Sequence, residues 1–157
     1  MNRPSNSDIA AATDSLKKLA LLPTVVTFLT GKLFAYFGLY DEAIVTLRGL
    51  RGQLNEPALG RELGEVYTAK GSYGDAEKEL TDAMLLFRRT GDFVGQALAE
   101  EAIAAIQVKS QGGIPRAIAH LRAALRTYKT LGDAPDAERV QTSLKSLETL
   151  NTRQPRR

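Results

Sequence analysis

Apolar residues recur along this chain at spacings of three and four, and no stretch alternates with the period of two that a half-buried strand needs. Three hexads punctuate the pattern: Gly38-Leu-Tyr-Asp-Glu-Ala43, Gly71-Ser-Tyr-Gly-Asp-Ala76 and Gly112-Gly-Ile-Pro-Arg-Ala117. Their alanines lie 33 and 41 residues apart, and Thr90-Gly-Asp92 echoes Leu131-Gly-Asp133 at the same spacing of 41. Each hexad reads as a turn between two helices. Gly38, Gly71 and Gly112 suit the left-handed conformation that closes a helix, and Asp41 and Asp75 suit the start of the next one.

After each turn an amphipathic run follows: Ala43, Leu47 and Leu50; Ala76, Leu80, Ala83 and Phe87; Ala117, Leu121, Ala124 and Tyr128. Before the second turn, Asn55 as cap and Pro57 in the first turn predict a helix whose apolar face is Leu59, Leu63, Val66 and Tyr67. Before the third turn, Ala97, Ala99, Ala102, Ala104 and Ala105 make a small-residue surface suited to close pairing. The first opening helix, about 24–37, is apolar nearly all round, so it is buried by the chain's own N-terminal helix, by a second copy or by another protein. Ser7 caps a predicted helix over 7–22 with Ile9, Ala12, Leu16 and Leu19 on one side. Pro135 to Leu150 predicts a terminal helix with Val140, Leu144, Leu147 and Asn151 along one stripe. The ends, 1–6 and 151–157, read as disordered.

The second unit resembles the tetratricopeptide repeat family through Leu63-Gly64, Tyr67, Gly71, Tyr73, Ala76, Leu80 and Ala83. The first unit keeps Gly31, Phe34, Gly38, Tyr40 and Ala43. The third keeps Gly112, Ile114, Ala117, Leu121 and Ala124, but carries Ala104-Ala105 and Val108 where the family prefers Leu-Gly and Tyr. The Gly-Asp closures are similar to a longer bacterial subclass of about 40 residues per unit. The resemblance implies an all-α, right-handed α-solenoid of three hairpins, with repeats near 24–56, 57–92 and 93–133, an N-terminal helix and a cap over 135–150. It also implies a concave groove lined by first helices and used for protein or peptide recognition. Carried over by register, the groove residues are Phe28, Lys32, Tyr36, Arg61, Glu65, Thr68, Ile106 and Lys109, with Lys32, Arg61 and Lys109 placed to meet a carboxylate and Phe28, Tyr36 and Ile106 to bury apolar anchors. The Lys and Asn pattern with which chaperone-binding members clamp a terminal carboxylate is absent.

Composition narrows the functions. The 157 residues fit one domain, 43% hydrophobic and 25% charged. Without cysteine there is no disulfide, thiol catalysis or Cys-ligated zinc, and the expected compartment is reducing and cytoplasmic. The net charge of +3 owes much to Arg153, Arg156 and Arg157, so nucleic acid is not an expected partner, although Arg122, Arg126 and Lys129 share a helix stripe near Arg88-Arg89. Met1 to Asp14 lacks the apolar core of a secretory signal. From Leu19 to Tyr40 the sole charge is Lys32, long enough for a membrane span, but Pro23, Gly31, Gly38 and a mid-span charge costing about 2.5–3.5 kcal/mol weigh against one.

No constellation for catalysis, metal or cofactor stands out. His120, the single histidine, has no nucleophile or orienting carboxylate beside it in sequence. Glu62 with Glu65, and Glu100-Glu101, read as solvated helix surface, and Gly112-Gly113 reads as a turn rather than a phosphate cradle. The sequence therefore reads as a non-catalytic interaction module or adaptor that binds a partner peptide or helix. The alternatives are a scaffold that self-associates through Phe28, Leu29 and Phe34, and a membrane-associated assembly factor.

Overall fold

The computed structural model describes residues 5–18, 23–54, 56–109 and 113–153. Among them are eight helices and no strand: α1 (Asn6–Lys18), α2 (Pro23–Tyr36), α3 (Tyr40–Leu54), α4 (Pro57–Lys70), α5 (Tyr73–Thr90), α6 (Phe93–Lys109), α7 (Ile114–Leu131) and α8 (Ala134–Arg153). Sequential helices pack on one another, α1 on α2 through to α7 on α8, and α4 also touches α6. Such nearest-neighbour packing is that of a stacked repeat array.

The corners are chemically explicit. Gly71 adopts φ 87, its N–H donates to Thr68 O and that of Ser72 to Tyr67 O at 2.9 Å, so the last carbonyls of α4 find partners. The two Gly-Asp corners add a second device. Gly91 and Gly132 close α5 and α7 in the left-handed region, and the next residue caps the following helix: Asp92 Oδ1 accepts from Gly95 N at 2.8 Å and Asp133 Oδ1 from Asp136 N at 3.3 Å. One dipeptide thus ends one helix and starts another. The expected corner at Gly112 lies outside the described residues; α7 starts after Gly113, with Pro in its first turn.

Four sequence expectations shift. Ser5, not Ser7, caps α1: its hydroxyl donates to Asp8 Oδ2 at 2.6 Å while Asp8 N–H reaches Ser5 Oγ at 3.3 Å, because the reciprocal bond needs an acid three residues on. That hydroxyl also holds the Asp8 carboxyl below the usual range. Asn55 lies outside the described residues, and the residue before α4 is Glu56, which makes no side-chain cap bond. Helix α8 continues to Arg153, past the expected end at 150, and α1 begins at Asn6. The side chains of Leu16 and Leu19 lie outside the described residues.

Within the hairpins, glycine sets the distance. A Cβ on Gly64 would sit 2.4 Å from Leu80 Cγ, and one on Gly31 2.8 Å from Leu47 Cγ, so each glycine lets a second-helix leucine approach the first helix's backbone. Ala43, Ala76 and Ala117, which end the hexads, are completely buried, as are Leu47, Leu63 and Leu80. Packing at this density leaves no room for an added methyl. The apolar core runs from the α3–α4–α5 contacts to a second cluster in which Ala137, Val140 and Leu144 of α8 cover Leu121, Leu125 and Tyr128 of α7.

Candidate partner-binding face

The first helices of the hairpins, α2, α4 and α6, with α8 after them, present one series of faces. Two notches open between them. The first, of about 250 Å³, is lined by Lys32, Ala35 and Tyr36 of α2, Glu62, Glu65, Val66 and Ala69 of α4, and Leu47 at its floor. The second, of about 430 Å³, is lined by Glu101, Ala104, Ala105 and Val108 of α6, Ser143, Ser146 and Leu147 of α8, and Leu121.

Around the first notch the charged side chains satisfy one another. Lys32 Nζ lies 2.8 Å from Glu62 Oε2, Arg61 donates to Glu62 at 2.9 Å and also to Glu65, and the Lys32 ammonium stands 5.6 Å from the centre of the Phe28 ring. Glu62 is only 6% exposed, which corrects its reading as solvated surface. A carboxylate this buried needs counter-charge, and Lys32 and Arg61 supply it. These two cations are therefore committed to intramolecular pairs rather than free for a partner's carboxylate. Glu62 sits at helical spacing from Leu59 and Val66, the one signal in the sequence that could have placed it on the inner face. Partial burial, ahead of the opposing Arg61 charge, raises the Glu65 carboxyl above its ordinary value.

Tyr36 is the prominent exception. It is 84% exposed, with its ring edge-on to Phe37 at 5.3 Å. Phe28 is half-buried against the core. Thr68 donates its hydroxyl to Gly64 O at 2.7 Å. Lys109 lies 5.2 Å from the Tyr73 ring at the α4–α5 corner, away from both notches. Ile106 is 2% exposed within the core, so it lines no surface. Ala102 packs against the same cluster that encloses Ile106, while Ala99 is buried against Ala83 and Phe87 of α5. Thus Lys32, Tyr36 and Glu65 meet at one notch, Phe28 and Arg61 brace it, and Thr68, Ile106 and Lys109 stand apart from its walls.

Other sequence candidates find structural partners too. His120 Nδ1 and Glu100 Oε2 are 2.5 Å apart across α6 and α7, so a carboxylate absent from the histidine's sequence neighbourhood is present in space, and Glu100 is 9% exposed rather than solvated. Glu101 accepts from Tyr128 Oη at 2.9 Å and from both terminal nitrogens of Arg139, which ties α6, α7 and α8 together. Those bonds raise the Arg139 guanidinium's affinity for its proton, while burial and Glu101 raise the Tyr128 phenol. Arg122, one of the basic stripe, pairs with Glu148 at 2.6 Å. Phe28, Phe34 and Ala35 pack against the core, which partly covers the apolar first helix. No helix among the described residues is long and apolar enough to cross a membrane, and no cluster of His, Cys, Asp or Glu among them is arranged for a metal.

The close-contact glycines Gly31 and Gly64 share one register in the first two units, and the buried alanines Ala43, Ala76 and Ala117 carry that register through all three. The architecture is an all-α array of stacked helical hairpins, as the tetratricopeptide resemblance implies. No family model matches the chain, and no curated protein matches it. Among solved structures 14 chains match. Two of them are crystal structures from Podosopora anserina: a protein described as a kinesin light chain with nearly identical TPR-like repeats, and a single-residue variant of it. Each is 16% identical to this chain over 95% of it and 91% of the other chain, at a TM-score of 0.45.

Proposed function

We propose that this TPR-type chain is a non-catalytic protein-interaction module whose series of first-helix faces holds an extended or helical segment of a partner protein. The observation that carries the reading is Tyr36. A large aromatic side chain, 84% exposed, stands at the mouth of an apolar-floored notch whose charges are already paired. Exposed aromatics beside pockets are the residues that most often anchor interfaces. With the charges committed internally, the notch favours an apolar side chain over a carboxylate.

The test is calorimetric titration with a segment of a partner first recovered by affinity capture from native lysate. Micromolar affinity is expected, about −8 kcal/mol. Tyr36→Ser should weaken it by about tenfold or more, ~1.4 kcal/mol, as truncation of an interface anchor does. Full affinity in Tyr36→Ser and Lys32→Ala alike would exclude this face.

A further inference from the structure

The second notch has a cause that can be read from the repeat register. Between α5 and α7, as between the Gly91 and Gly132 corners, equivalent positions lie 41 residues apart. By that offset the residues of the α6–α8 notch correspond to those of the α4–α6 seam. Ala104 stands for Leu63, Val108 for Tyr67, Leu147 for Ile106 and Leu121 for Leu80. In the α4–α6 seam Leu63, Tyr67, Leu80 and Ile106 are all 5% exposed or less. In the α6–α8 seam the bulk is reduced, a methyl for an isobutyl and an isopropyl for a phenol. There Val108 is 43% exposed, and the notch of about 430 Å³ remains.

Its rim offers nothing for a charged visitor. Glu101 is saturated by Tyr128 and Arg139, and the Ser143 and Ser146 hydroxyls donate to Arg139 O and Thr142 O of their own helix. The matching occupant is therefore uncharged. Exposed Leu98 on α6 and Leu150 on α8 add further apolar surface on these two helices.

We propose that the α6–α8 notch receives an aromatic side chain, phenylalanine or tyrosine, from the partner segment, replacing the bulk that this unit lacks. The proposal rests on the interaction-module reading and adds a second anchor to it. The aliphatic side of the notch, Ala104, Val108, Leu121 and Leu147, offers an aromatic ring apolar contact, and the phenol of tyrosine keeps its hydroxyl at the open mouth.

The experiment uses p-cresol, the tyrosine side chain as a free molecule, and follows methyl resonances of the full chain. Saturable shifts are expected at Val108, Leu121 and Leu147. Val108→Tyr, which restores the bulk found in α4, should abolish them and raise the melting temperature. Ala105→Leu, at an exposed lining position, should block the notch should the first variant fail to fold. Val45→Ala, on exposed α3 surface, should change nothing. Saturable shifts that survive both blocking variants, or no saturable shifts up to the solubility limit, would overturn the proposal. So would wild-type shifts at these methyls that depend on protein concentration alone, since a second copy would then be the occupant. A partner segment that binds through Tyr36 with equal affinity to wild type and Val108→Tyr leaves the module reading standing and removes the second anchor. Cresol binding with no partner binding at all would show a notch that accepts an aromatic ring, but would overturn both the module reading and the partner anchor.

Discussion

The same change of residue has opposite consequences at different positions of this chain, and the surroundings decide the sign. Replacing a helical glycine by alanine ordinarily gains about 0.5–1 kcal/mol. At Gly49 nothing lies within 4 Å of the added methyl, so Gly49→Ala should raise stability by about that amount. At Gly64 the methyl would meet Leu80 at 2.4 Å, and Leu80 is fully buried and cannot yield. Overpacking of that kind costs about 1–3 kcal/mol, which outweighs the propensity gain, and urea denaturation of the two variants should move in opposite directions. Glu65 supplies a pH test. Its carboxyl is raised above 4.5 chiefly by partial burial, so the folded state binds that proton more tightly than the unfolded chain. Its contribution is favourable below the unfolded value and is lost as pH rises through the folded one. Glu65→Gln should therefore be more stable than wild type at about pH 7, with the difference gone at about pH 4. A Glu65→Gln variant less stable than wild type at about pH 7 would show that the Arg61 pair, not burial, governs this group.

At the scale of elements, each boundary is set by a small set of local bonds, and these were largely legible. Gly38 and Gly71 were expected to close helices and do so at φ 76 and φ 87. The Gly-Asp echo was visible as a repeat, but the sequence did not disclose that its aspartates act as caps. Asp92→Ala should cost about 1 kcal/mol, the usual loss of an N-cap, because Gly95 N–H loses its acceptor at 2.8 Å. The longer Asp133 contact, at 3.3 Å, should cost less, and thermal melts of both variants compare them. Ser5 was missed as the cap of α1 because Ser5 and Ser7 are equally good candidates by residue type. The choice falls to the one with Asp8 three positions on.

At the scale of the whole molecule, stability depends on how the last helix is fastened to the array. α8 covers Leu121, Leu125 and Tyr128 with Ala137, Val140 and Leu144, and Arg139 clasps Glu101 beside the Tyr128 phenol. Arg139→Ala leaves a Glu101 carboxylate whose side chain is 16% exposed with the phenol as its remaining partner. The expected loss is about 1–3 kcal/mol, a fall in melting temperature of roughly 2–4 °C per kcal/mol for a chain of this size. Wild-type stability in this variant would mean that apolar cover alone retains the cap.

By itself the sequence determined the helical class, the pairing of sequential helices and the corners at Gly38 and Gly71. Those follow from local periodicity, from the backbone freedom of glycine and from alanines that recur in register, all of which act over a few residues. Only the tertiary structure decided which charged and apolar groups face inward. Glu62 and Glu100 were read as solvated and are buried, Ile106 was read as a groove anchor and is sealed in the α4–α6 seam, and Lys32 and Arg61 are held by carboxylates rather than left free. The pairing of Lys32 with Glu62, of Glu100 with His120 and of Glu101 with Arg139 joins residues 20 to 38 positions apart. Whether a notch stays open depends on the summed volume of side chains from three helices. Helical period alone assigns a face, but it does not say how closely the next helix will approach that face.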